Sequence, residues 1–267
     1  MPFARLADVT LNYRLDGPAA GPVVMLSNSL ASNLSMWEPQ VPALAAAGFR
    51  VLRYDTRGHG SSSVANGATT IAVLAADALA LLDHLGIERV HFCGLSLGGM
   101  TGQWLGTHHA ARLRSLALCA TAACMGPPEL WNQRIEAVAQ GGMAAIAEAT
   151  ITRWFSAANR ARLAADVARI RDGILNTPVA GYRACCVAIR DMDQRESIAA
   201  ISLPTLVLVG ADDPSTPVAA AELIHQRIAG STLKVIPAAQ HLFNVEEPAQ
   251  FNAALLDFLR GVAADAP

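Results

Sequence analysis

Short apolar runs bounded by turn residues recur along the chain, and most are separated by amphipathic segments long enough to form helices. The runs are Val23–Leu26, Val51–Tyr54, Val90–Cys93, Leu116–Cys119, Leu206–Val209 and Leu233–Ile236; Ile71–Leu85 and Ala249–Leu259 are two of the segments between and after them. A continuous apolar run of strand length belongs to a strand buried on both faces, and such strands alternating with helices are joined most simply as βαβ units in a parallel sheet. Leu11–Leu15 adds an expected antiparallel strand ahead of them. This pattern predicts an α/β fold and excludes bundles, sandwiches and repeat arrays.

The alternation breaks between about Met125 and Ile198, where Leu130–Ala139, Met143–Phe155, Asn159–Leu175 and Tyr182–Asp191 all carry apolar residues at helical spacing. Helices without strands, set inside an α/β pattern that resumes at Leu206, are expected to form an inserted cap over one end of the sheet. The expected division is a core of residues 1–124 and 199–267 with a helical cap of residues 125–198. The charged stretch Asp191–Glu196 is expected to be a solvated hinge between them.

Composition narrows the ligand. Charged residues are 16% of the 267, well below the roughly 25% of an average globular protein. Twenty Lys and Arg against twenty-two Asp and Glu leave a net charge of −2, and no basic block marks a face for nucleic acid or an anionic membrane. A small-molecule partner is expected, with no nucleic acid and no membrane; monomer and homo-oligomer both stay open. The five cysteines lack any C-x-x-C spacing and two, Cys185 and Cys186, are adjacent, which suits reduced thiols better than a disulfide framework or a zinc site. The first residues carry Arg5, Asp8 and Arg14 where a secretory leader needs an apolar stretch, so a cytoplasmic location is expected, without metal or cofactor.

Chemistry concentrates at strand ends. Gly94-Leu95-Ser96-Leu97-Gly98 follows the run Val90–Cys93 and precedes a segment able to open a helix. A serine on so sharp a strand-to-helix turn needs small residues two positions to either side, the pattern of a nucleophile elbow. No Lys follows, and the glycine spacing is not that of a phosphate-binding loop. A serine hydroxyl needs a base to become nucleophilic, and the base an orienting carboxylate. Gly210-Ala211-Asp212-Asp213-Pro214-Ser215-Thr216-Pro217 follows one strand and Ala239-Gln240-His241 the next, giving the order Ser, Asp, His. Asp213 is preferred over Asp212 as the acid, and His241 over the other six histidines as the base; His59, in a glycine-rich loop after a strand, is the nearest competitor. Two backbone N–H groups must meet the oxyanion, and Leu97, after the nucleophile, and Leu30, after Val23–Leu26, are expected to supply them.

Across nearly its whole length the chain resembles the α/β-hydrolase superfamily, through the Asp55-Thr56-Arg57-Gly58-His59-Gly60-Ser61 loop, the GLSLGG elbow, the GADDPSTP acid loop and the HLFNVEEP histidine segment. Two further stretches, SNSLASNLSMW at Ser27 to Trp37 and GYRACCVAIRDMD at Gly181 to Asp193, are similar to 3-oxoadipate enol-lactonases. Ala31 stands where relatives often have Gly, and Gln240 precedes His241 where the wider superfamily prefers Gly. The resemblance implies a mostly parallel eight-stranded sheet flanked by helices. It also implies hydrolysis of a carboxymethyl enol-lactone to 3-oxoadipate during aromatic catabolism, with Ser96 as nucleophile, Asp213 as orienting acid and His241 as base. A carboxylate-bearing lactone needs a cation, so Arg134 is the expected partner, with Trp131 three residues earlier on the same helix as a pocket wall and Arg190 as the rival. Other readings of the same scaffold are a general carboxylesterase, a cofactor-free perhydrolase and, from a different class, a ligand receptor.

Overall fold

The computed structural model describes residues 2–264. Eight strands form one sheet: β1 (Phe3–Arg5), β2 (Thr10–Asp16), β3 (Val23–Ser27), β4 (Arg50–Tyr54), β5 (Val90–Leu95), β6 (Leu113–Cys119), β7 (Thr205–Gly210) and β8 (Thr232–Ile236). Their order across the sheet is β1-β2-β4-β3-β5-β6-β7-β8. The first two pairings, β1 with β2 and β2 with β4, are antiparallel, and every later pairing is parallel. All six apolar runs and the Leu11–Leu15 segment lie in strands. The strand β1 has no counterpart in the sequence pattern: only Ala4 of its three residues is buried, too short a stretch for alternation to show.

Side chains alternate between the two faces, except at the start of β6, where a register shift against β5 puts Leu113 and Leu116 in the same core. Val24, Leu26, Cys93, Leu95, Ala117, Cys119, Leu206 and Leu208 join one apolar core, while Val23, Met25, Phe92, Leu116, Leu118, Val207 and Val209 join the other. A parallel sheet covered on both sides requires this arrangement, since each strand must present apolar groups in both directions. Helices α1 (Val41–Ala46), α2 (Ile71–His84) and α3 (Leu97–His108) lie in the first half of the chain. Then α4 (Pro128–Gly141), α5 (Ala144–Trp154), α6 (Ala157–Arg162), α7 (Ala164–Leu175) and α8 (Val179–Asp191) follow one another between β6 and β7. The chain closes with α9 (Val218–Arg227), the short α10 (Phe243–Glu246) and α11 (Pro248–Ala264).

Asn159–Leu175, expected as one helix, is two. The backbone leaves helical geometry at Leu163 (φ −111°, ψ 38°), next to Arg162, whose guanidinium reaches the Glu246 carbonyl and the Glu247 carboxylate. The Asp191–Glu196 stretch is likewise only partly solvated. Asp193 and Arg195 are exposed and pair with each other, but Gln194 is buried, donating its backbone N–H to Ala123 O (2.7 Å) and Nε2 to Met100 O (3.0 Å). Asp193 also bridges Cys124 in antiparallel fashion, so the run of five helices departs from and returns to the sheet at one place. No described helix is long and apolar enough to cross a membrane.

Candidate active site

Ser96 stands between the last residue of β5 and the first of α3 with φ 57° and ψ −112°, a left-handed backbone that costs a non-glycine residue roughly 1–3 kcal/mol. Packing holds it there: its N–H donates to Cys119 O (2.9 Å) and its carbonyl accepts from Thr121 Oγ1 (2.8 Å). The flanking glycines are required by contact. A Cβ on Gly94 would lie 2.1 Å from Gly98 O, and one on Gly98 would lie 2.2 Å from Ser27 O.

The acid loop after β7 and the histidine loop after β8 are joined by Ala211 N–H to Ile236 O (2.8 Å) and Asp212 N–H to Ala239 O (3.0 Å). This turns Asp213 inward and leaves Asp212 exposed. Asp213 Oδ1 accepts from the N–H groups of Ser215 (2.8 Å) and Thr216 (3.1 Å), and Oδ2 accepts from Thr216 Oγ1 (2.7 Å) and lies 2.8 Å from His241 Nδ1. Burial alone would push the Asp213 carboxyl up; the charge and hydrogen bond of His241, with the Thr216 contacts, outweigh it and hold the group below the usual carboxylate range. With Nδ1 engaged, Nε2 is the imidazole nitrogen available to a substrate. His241 and Ser96 line the same cavity, and among the described residues no direct hydrogen bond joins them. His59 stays outside that cavity, buried with Nδ1 against Arg57 O (3.1 Å).

The loop after β3 is tied to the elbow by Gly98 N–H donating to Asn28 O (3.0 Å), and Asn28 is fixed by Nδ2 to Tyr54 O (2.7 Å) and by Trp37 Nε1 to its Oδ1 (3.0 Å). Leu30 lines the cavity, and the next residue, Ala31, has φ 62°. Leu97 is the first residue of α3, so its N–H has no intrahelical acceptor. Neither the Leu30 nor the Leu97 amide has a hydrogen-bond acceptor among the described residues.

The cavity holds about 250 Å³, with Ser96 and His241 beside groups from α4, α5 and α8. Trp131 and Arg134 both line it; the Arg134 guanidinium lies 4.8 Å from the Trp131 ring centroid, and Trp131 Nε1 donates to Met125 O (2.8 Å). Arg190 does not line it. Its guanidinium is held by the Asp191 carboxylate (2.7 and 2.9 Å) and by Asn132 Oδ1 (2.8 Å), because the helical turn that faces Ile189 inward faces Arg190 out. The cavity instead contains Arg153, which sequence reasoning misses although it is the one basic residue of α5. Also missed is Glu246, fully buried in the HLFNVEEP segment. Its carboxylate accepts from the N–H of Gln240, the N–H of Ser156 (2.8 Å) and Asn159 Nδ2 (3.0 Å), and nearby Leu242 N–H donates to Trp154 O (3.2 Å). The histidine loop is thereby fastened to the junction of α5 and α6.

Comparison with known proteins agrees with this fold. The family model of the alpha/beta hydrolase fold matches residues 22–248. The chain is 40% identical to 3-oxoadipate enol-lactonase 1 of Acinetobacter baylyi, over 95% of this chain and 94% of that protein. Among solved structures, the enol-lactonase from Burkholderia xenovorans LB400 is 42% identical with a TM-score of 0.94, covering 97% of this chain and 100% of that one. A thermophilic esterase from Thermogutta terrifontis, solved with malate bound, is 30% identical with a TM-score of 0.91, covering 98% and 99%. Matched by the family model over most of its length, and by these relatives over nearly all of it, the chain belongs to the alpha/beta hydrolase fold family.

Proposed function

We propose that the protein hydrolyses 3-oxoadipate enol-lactone to 3-oxoadipate, a step in the β-ketoadipate route of aromatic catabolism. The observation that carries the reading is one small cavity containing a strained serine, a carboxylate-anchored imidazole and a guanidinium stacked over an indole. Similarity to two enol-lactonases at 40% and 42% identity supports the choice of substrate.

Ser96 Oγ bonds to the lactone carbonyl carbon while His241 Nε2 takes its proton, and Asp213 stabilises the imidazolium that results. The oxyanion is met by the N–H groups of Leu30 and Leu97. Collapse breaks the ring C–O bond, and the departing enol oxygen takes the proton held on His241 Nε2; the enol so formed tautomerises to the ketone. Water, deprotonated by His241, then attacks the acyl-Ser96 ester and frees the new carboxylate. Arg134 pairs with the carboxymethyl group, and Trp131 walls the pocket; Arg190, committed to Asp191 and Asn132, takes no part. Residues 125–198 act as a cap over a core of residues 1–124 and 199–267, closing the cavity above Ser96. The five free cysteines suit a cytoplasmic setting.

The test is loss of absorbance of freshly generated enol-lactone under the purified protein. Turnover is expected, and Ser96→Ala should lower kcat by at least about 10⁴-fold without unfolding the chain. A parent protein that hydrolyses p-nitrophenyl acetate but leaves the lactone untouched would favour a general carboxylesterase instead.

A further inference from the structure

Arg134 and Arg153 line one cavity, and no Asp or Glu among the described residues lines it. Arg134 makes no ion pair among the described residues, and the hydrogen bond Arg153 makes through its side chain is to the neutral hydroxyl of Thr150 (3.1 Å). Some buried or half-buried arginines elsewhere find carboxylates, as Arg53 does with Asp16 (2.7 Å) and Arg169 with Asp166 (2.9 Å). Two like charges in a partly desolvated space repel each other and lack the hydration they would have outside. Burial, and then the charge of Arg134, lower the pKa of Arg153 from the usual guanidinium value, which agrees with the two cations being near neighbours.

A single carboxylate leaves one positive charge uncompensated. The substrate proposed above carries one carboxylate, but opening its ring creates a second, so the reaction turns a monoanion into a dianion inside this cavity. We propose that Arg134 and Arg153 together make the cavity a site for short-chain dicarboxylates, with Arg153 as the group that recognises the second negative charge. Each guanidinium offers a planar fork suited to bidentate carboxylate binding, and about 250 Å³ suits a short aliphatic chain. The reaction's own dicarboxylate product is then a competitive inhibitor, and relief of that inhibition belongs to whichever reaction next consumes it. The inference rests on this cavity being the substrate site, though not on the identity of the lactone.

The test is calorimetric titration of the full chain with adipate and with hexanoate, acids of equal length that differ by one charge. Adipate is expected to bind at least fivefold more tightly than hexanoate. In Arg153→Gln the gap should shrink below fivefold while hexanoate affinity stays within threefold of the parent; Arg153→Lys, keeping the charge, should retain the gap. Adipate affinity in the parent should also fall more steeply with added NaCl than hexanoate affinity, a measurement that needs no variant. A gap under fivefold in the parent, a gap that survives Arg153→Gln, or equal salt slopes would overturn the proposal. A protein that turns over the lactone but shows no gap sinks this inference alone; a gap without lactone turnover sinks only the lactone reading.

Discussion

Ser96 and Asp213 show opposite ways of preparing a side chain for the chemistry proposed above. The serine is held in a costly backbone conformation that projects its hydroxyl off the turn, whereas the aspartate sits at the centre of four favourable hydrogen bonds. Because Oδ2 faces Nδ1, a carboxylate selects the imidazole tautomer with its proton on Nδ1, and an amide in that place can present a donor instead. Asp213→Asn should therefore lower kcat by about 10³–10⁴-fold with KM changed only a few-fold, measured by steady-state kinetics. A second titrating residue acts on stability rather than catalysis. His91, inside β5 with Nδ1 against Ser115 Oγ (2.9 Å), has its pKa lowered to about 4, first by burial and then by Arg114 and Arg89. The unfolded chain takes up this proton near pH 6.5 and the folded one only near 4, so folding stability should decline by ~3 kcal/mol as the pH falls between those values. Urea unfolding of the parent and of His91→Gln across that range checks it: the variant should lose that part of the slope.

At the scale of elements, the histidine loop depends on Glu246. Glu246→Ala leaves the N–H groups of Gln240 and Ser156 and the amide of Asn159 without their acceptor, which should cost about 3 kcal/mol or more in unfolding free energy. Because the released loop carries His241, the proposed base, kcat should fall more than KM rises, and Glu246→Gln should lie between parent and Ala in both respects. None of this was legible in the sequence, where Glu246 is one of two adjacent acids before a proline. Most strands were legible because burial within the sheet leaves an apolar signature, although β1 is too short to show one and β8 is largely exposed; Ser96, Asp213 and His241 were legible as candidates because each lies within a few residues of such a run. The break at Leu163 was not, since it has no Gly or Pro and coincides with contacts to residues 246 and 247. Arg190 misled for a related reason: spacing along a helix says which residues share a face, but not which face turns inward. Close packing of α8 had a sequence trace, since a Cβ on Gly181 would lie 2.2 Å from Gly58 O.

For the whole molecule, the size of the cavity sets the range of substrates. About 250 Å³ is below the roughly 300–1,000 Å³ of drug-sized sites, so the cavity favours short acyl groups over long ones. Activity on p-nitrophenyl esters should fall at least tenfold from acetate to octanoate in kcat/KM, and ethyl butyrate, whose leaving group is a far stronger base than an enolate, should turn over poorly. The attachment of the histidine loop at the junction of α5 and α6 reaches further. A lineage that alters this junction to admit a different ligand disturbs the proposed base, His241, at the same time. Diversification of appetite in this scaffold should therefore run through α4 and α8, where a residue can be exchanged without moving the imidazole.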